Sequence, residues 1–174
     1  SLVINSLEEL QIMDYSPTKD RFLAYGTNTK NCMEIDREGN ILKKVDLSGE
    51  GPGRFGPAMT ELGYLEDGFI IKAPGVYNVF DKDWKYLYRI PYQNAGYSIP
   101  FKYIYGRPEV AKMNGSNVIL EPNDESFDGY LEIEDDYYQK TNLLKVYQQG
   151  EEEGKGILNY PEGSLYQNTN TFYS

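Results

Sequence analysis

A fourteen-residue pattern occurs twice in this chain at a fixed spacing, and that recurrence limits the fold more than any other feature. Cys32-Met33-Glu34-Ile35-Asp36-Arg37-Glu38-Gly39-Asn40-Ile41-Leu42-Lys43-Lys44-Val45 aligns with Tyr77-Asn78-Val79-Phe80-Asp81-Lys82-Asp83-Trp84-Lys85-Tyr86-Leu87-Tyr88-Arg89-Ile90, every pair 45 residues apart. Ile35 matches Phe80, Asp36 matches Asp81, Arg37 matches Lys82, Leu42 matches Leu87 and Val45 matches Ile90. Each copy reads as a strand, a polar turn opened by Asp, and a second strand, because apolar β-formers flank a cluster of turn residues. Another hairpin lies upstream of each. Asp20–Gly26 corresponds to Asp67–Ala73, preceded by strand-like segments at Leu10–Tyr15 and Glu61–Leu65. Helices do not fit, since the segments are short and punctuated by Gly, Pro, Asn and Asp.

Four short strands in each period of about 45 residues is the signature of a propeller blade. The chain is therefore expected to be all-β, with β-propeller blades of four antiparallel strands. Blades are expected at about 8–48, 57–93 and 108–150, with a partial blade at 156–174. The third is stretched. Its first two strands are placed at Val110–Met113 and Asn117–Glu121, around an Asn114-Gly115-Ser116 turn, and its outermost strand at Leu143–Val146. Val146 follows Ile90 by 56 residues rather than 45, and the surplus is assigned between Glu121 and Thr141. Two blades and a stretched third would leave long unpaired edges, which natural sheets avoid. The expectation is a portion of a longer propeller, with a compact four-bladed ring as the alternative.

The connection after the first repeat reads Gly49-Glu50-Gly51-Pro52-Gly53-Arg54-Phe55. Following Asp36-Arg37-Glu38-Gly39-Asn40 and a strand, it resembles the bacterial six-bladed β-propeller proteins of the NHL/TolB-like type. Those typically read Asp-x-x-Gly-x, a strand, then Gly-x-Gly-Pro-Gly-Glu-Phe. The likeness covers about residues 10–95, with Arg54 at the usual Glu and Trp84 in place of the Gly of the second turn. It implies a portion of a six-bladed propeller and a periplasmic or cell-surface location, often as a lipoprotein; it implies no particular reaction. Physically, the glycines permit positive φ, Pro52 stiffens one bend, and Phe55 can plug the space between blades.

Composition narrows the chemistry. The net charge is −10 and the pI about 4.5, which argues against a nucleic-acid partner, whose phosphates are bound mainly by Lys and Arg. No run of the sequence is long and apolar enough to offer a transmembrane helix. There is no histidine, which removes Ser-His-Asp and Cys-His nucleophilic sites and HExxH zinc chemistry. Cys32 is the single cysteine, so no intrachain disulfide forms, and its apolar neighbours predict a small buried hydrophobe.

Gly51 to Gly56 spells GxGxxG, but no amphipathic helix follows, so the expected role is structural rather than dinucleotide binding. Asp124, Ser126, Asp128 and Asp135 occupy positions 1, 3, 5 and 12 of a calcium-loop spacing, with Gly129 at the sharp turn and the Tyr130 carbonyl as a further oxygen ligand. Against calcium stand the Asp at position 12 and the strand-like Val118-Ile119-Leu120 before it; the alternative is a solvated acidic insertion. Tyrosine is unusually frequent at 17 residues. The least periodic aromatic cluster holds Tyr97, Phe101, Tyr103 and Tyr105, a candidate ligand-binding surface whose competing role is packing between sheets. No carboxylate pair stands out, and Asp36 and Asp81 recur with the repeat as turn formers should. Two functions are thus expected in order: a non-catalytic binding or scaffold module with a protein or carbohydrate ligand, and a carbohydrate-active enzyme using carboxylates and Tyr platforms, with calcium assisting.

Overall fold

The computed structural model describes residues 9–56, 58–92, 109–122, 142–159 and 162. Twelve strands and no helix occur among them. They run β1 (Leu10–Ser16), β2 (Arg21–Gly26), β3 (Asn31–Asp36), β4 (Ile41–Asp46), β5 (Glu61–Leu65), β6 (Gly68–Ala73), β7 (Val76–Asp81), β8 (Tyr86–Pro91), β9 (Val110–Met113), β10 (Ser116–Pro122), β11 (Asn142–Gln148) and β12 (Lys155–Asn159). Three four-stranded sheets result, β1-β2-β3-β4, β5-β6-β7-β8 and β9-β10-β11-β12, each pairing in chain order. Such meanders need only short hairpin connections, which the Asp-, Asn- and Gly-containing turns supply.

The described strands divide between two compact units, one holding the chain to Ile90 and the other the strands from Val110 onward. In the first unit one apolar cluster joins residues of both sheets. Leu23 and Tyr25 of β2 and Cys32 of β3 share it with Leu62 of β5, Phe69 and Ile71 of β6 and Phe80 of β7, while Leu47, Phe55 and Met59 enter from the connecting loop. Alternation along the strands explains the membership: Leu23 and Tyr25 point to this side, whereas Ala24, with Met33 and Ile35, forms a separate cluster on the opposite side of its sheet. The outer strands β4 and β8 expose Leu42 and Leu87, which are repeat equivalents.

The repeat also holds at the level of turn geometry. In both hairpins the opening Asp carboxylate accepts backbone N–H groups from the far side of the turn: Asp36 from Asn40 (2.8 Å), Asp81 from Asp83 and Lys85 (both 2.9 Å). Gly39 has φ +89°, and Trp84, its equivalent, has φ +67°. A bulky residue in this region is uncommon, because its Cβ crowds the backbone. Trp84 is held there by its side chain, which is buried and stacks on Phe69 with ring centroids 4.0 Å apart.

The third sheet corrects the expected strand order. Leu143–Val146 lies in β11, the third strand, rather than the outermost. The outermost is β12, which pairs with β11 through Leu144↔Ile157 and Val146↔Lys155, so the segment from Gly156 completes this sheet instead of starting another. The reason is a tight turn after β11, closed by Glu151 N–H donating to the Gln148 carbonyl (3.3 Å) with Gly150 at φ +87°. The first hairpin of this sheet also turns more tightly than expected, with Ser116 already paired to Met113 in β10.

Candidate functional site

The expected aromatic surface (Tyr97, Phe101, Tyr103, Tyr105) and the expected calcium loop (Asp124, Ser126, Asp128, Tyr130, Asp135) lie outside the described residues. Among the described residues no group of three or more His, Cys, Asp or Glu is arranged to hold a metal. The polar chemistry that is described concentrates between the first two sheets.

The Gly-rich connection sits at this seam, and the amides of its second half are used within it. Arg54 N–H donates to the Gly51 carbonyl (3.1 Å), Phe55 N–H to Leu47 (3.1 Å) and Gly56 N–H to Gly49 (2.9 Å), making a small closed loop. Three amides that could face an anion, those of Arg54, Phe55 and Gly56, are thus spent internally, and the chain continues to strand β5 rather than to a helix. Phe55 is buried and meets Tyr25 edge-on at 6.0 Å. The second sheet grips the loop as well: Asn78 Nδ2 of β7 donates to the Arg54 carbonyl (3.1 Å). Gly53, at φ +73°, lies so close to Tyr86 that a Cβ would come within 2.8 Å of its side chain. The Arg54 guanidinium folds back onto the Asp46 carbonyl (2.7 Å). The loop is an inter-sheet plug.

A second set of contacts crosses the seam near β1 and β5. A bulge between Ile12 and Asp14 re-aims Asp14, whose carboxylate accepts the N–H of Tyr15 and of Tyr64 (both 2.8 Å). The Tyr64 hydroxyl donates to Glu34 Oε1 (3.3 Å), and Arg21 lies 3.8 Å from that same oxygen. Burial, followed by the Glu34 charge, pushes the Tyr64 hydroxyl well above the usual tyrosine range. It therefore stays protonated at neutral pH and serves as a fixed donor. Lys19 Nζ covers the rings of Tyr64 and Phe69 at 5.0 and 5.6 Å. Asp14 and Glu34 both commit oxygens to protein donors, so this seam holds the sheets together.

Cys32 is fully buried, and burial followed by the Asp46 charge pushes its thiol up to about 12, far from the thiolate that nucleophilic chemistry requires. Of the periodic tyrosines, Tyr86 packs edge-on against Phe80 at 6.1 Å and covers Gly53, a packing role. Asp14, Lys19 and Glu34 belong to no site motif that the sequence displays. The available signal was weak: Asp14 and Glu34 are acids inside otherwise apolar strands.

The turn carboxylates have a measurable consequence. The side-chain amide and backbone N–H of Asn40 hold Asp36 below the usual carboxylate range, and the Lys85 and Asp83 amides with nearby lysine charge do the same for Asp81. Depressed folded values mean stability that is present above the ordinary carboxylate pKa and lost as pH falls through the folded values, below about pH 4. A double Asp36→Asn, Asp81→Asn variant should accordingly lose less of its stability than wild type between neutral pH and about pH 3, read as urea midpoints across pH. An unchanged acid limb would show that these turns do not carry the acid sensitivity.

No family model matches the chain, and no curated protein matches it. Nine chains of solved structure do. One is a protein of Bacteroides fragilis NCTC 9343 described as exported, 10% identical, with a TM-score of 0.46 over 91% of this chain and 39% of that one. The chain spans about two fifths of the length of that protein.

Proposed function

We propose that the chain supplies blades to a β-propeller of the six-bladed NHL/TolB-like type and acts as a non-catalytic binding or scaffold module of a bacterial envelope protein. One observation supports this above others. The first two sheets repeat the same strand order and Asp-opened turn, and are joined by a Gly-rich loop that closes on itself through the Arg54, Phe55 and Gly56 amides and buries Phe55. Neighbouring four-stranded meanders locked through an apolar seam are what a propeller requires. The envelope location rests on the Gly-x-Gly-Pro-Gly-x-Phe resemblance. Ligands of such a module, proteins or carbohydrates, are met by loops at the ends of the blades rather than by the seams, by analogy with other repeat folds.

The test is a binding screen of the purified protein against a glycan array, run beside a turnover assay on glycosides and lactones. Binding without turnover is the expected result. Hydrolysis of any of these substrates would replace this reading with the carbohydrate-active one. Calorimetry with Ca²⁺ examines the Asp124–Asp135 loop separately, where heat and a thermal shift are the signs of a site.

A further inference from the structure

Asn114 and Gly115 are the only Asn-Gly pair in the sequence, and they form the two-residue turn between β9 and β10. Their φ values of +51° and +81° are those of a type I′ turn, with Met113 and Ser116 paired across it. Both residues are exposed. Their strand β9 is four residues long and forms the edge of its sheet, a position where pairing opens most readily. Among the described residues nothing lies within 4 Å of where a Cβ on Gly115 would stand. Every other asparagine in the sequence is followed by a residue with a side chain, as in Asn40-Ile41 and Asn78-Val79. Such a side chain hinders attack by its own amide nitrogen on the preceding carboxamide.

We propose that Asn114 is a site of spontaneous deamidation. When the edge hairpin opens, the Gly115 nitrogen gives up its proton and attacks the Asn114 Cγ. A nitrogen–carbon bond forms, the bond to the side-chain nitrogen breaks, and ammonia leaves with the proton. The resulting succinimide is opened by water at either carbonyl, giving aspartate or isoaspartate. Water is the only co-reactant. Either product replaces a neutral amide with a carboxylate. Isoaspartate also inserts a methylene into the main chain of a two-residue turn, so Met113 and Ser116 no longer oppose each other and the β9 register is lost.

Asp67-Gly68 provides an internal control, since an Asp-Gly pair cyclises by the same route with loss of water. Asp67 ends the two-residue turn Glu66-Asp67, but Gly68 is already the first residue of β6, buried and paired to both Leu65 and Asp81. A Cβ there would collide with the Phe80 carbonyl, so that backbone is hemmed in where Gly115 is open.

The experiment incubates the folded chain in mildly alkaline buffer and follows it by peptide mass mapping and isoaspartyl methyltransferase labelling. A urea-unfolded sample and Asn114→Gly, which keeps a turn-compatible residue, run in parallel. The expected result is isoaspartate in the Met113–Ser116 peptide, forming severalfold faster than at any other asparagine, none at Asp67 in the folded chain, and no labelling of that peptide in Asn114→Gly. Retention of Asn114 in the folded chain, whether or not the unfolded chain converts, would overturn the proposal, as would faster conversion elsewhere.

Discussion

Trp84→Ala is expected to lower the unfolding free energy of the first unit by about 3 kcal/mol, and Trp84→Gly by only about 2 kcal/mol. Glycine is normally the worse replacement because of its unfolded-state entropy, so the order is the informative part. Trp84 is buried, stacked on Phe69 and packed near Phe80. Losing that contact costs about 4 kcal/mol in either variant. Two savings offset it. Among the described residues the indole Nε1 has no hydrogen-bond partner, and a buried donor of this kind costs about 1 kcal/mol or more. The backbone at φ +67° is also strained for any side chain, by about 1–2 kcal/mol, and only glycine relieves it. Urea unfolding followed by circular dichroism measures both variants, since Trp84 is the single tryptophan and cannot report on its own removal. Alanine more stable than glycine would mean that the left-handed turn is not a cost at this position.

The turn that holds Trp84 shows, with its repeat equivalent, what was legible in the sequence. Asp36 and Asp81 recur because each must accept amides across a turn, a local requirement that leaves a mark at fixed spacing. The eight strands of the first two sheets were readable for this reason: their hairpins are short and the apolar alternation is regular. The third sheet was harder. β10 and β11 are separated by a long insertion, and β11 carries apolar residues much as an outer strand does, so its place could be decided only by the tight turn at Gly150 that adds β12. The seam was less legible still. Asp14 reaches Tyr64 only because a bulge turns it, and Glu34 meets the Tyr64 hydroxyl only because β5 lies beside the first sheet. Such contacts depend on how two sheets meet and leave no periodic signature. The Gly-rich motif lay between these cases, since its residues were conspicuous but only the bonding of its amides separates a plug from a phosphate cradle.

Phe55→Ala provides that separation in solution. If the loop is a plug, truncating a fully buried ring that meets Tyr25 should destabilise the first unit by about 4 kcal/mol, enough to shift the thermal midpoint by many degrees. If the loop instead served a nucleotide, the ring would be dispensable for folding and the loss would fall on ligand affinity. Gly53→Ala sharpens the comparison. Its φ of +73° and the crowding against Tyr86 predict a loss of about 2 kcal/mol, from a residue whose counterpart in a phosphate loop would be changed for its closeness to ligand. Arg54→Ala should be nearly silent, because among the described residues its guanidinium meets the exposed Asp46 and Ser48 carbonyls and the nearby exposed Asp46 charge, contacts that solvent can replace. A large effect at Phe55, an intermediate one at Gly53 and almost none at Arg54 follows from a loop inserted between sheets by its apolar side. The reverse order would assign the loop to binding, because a loop built for an anion depends on its cation before its ring.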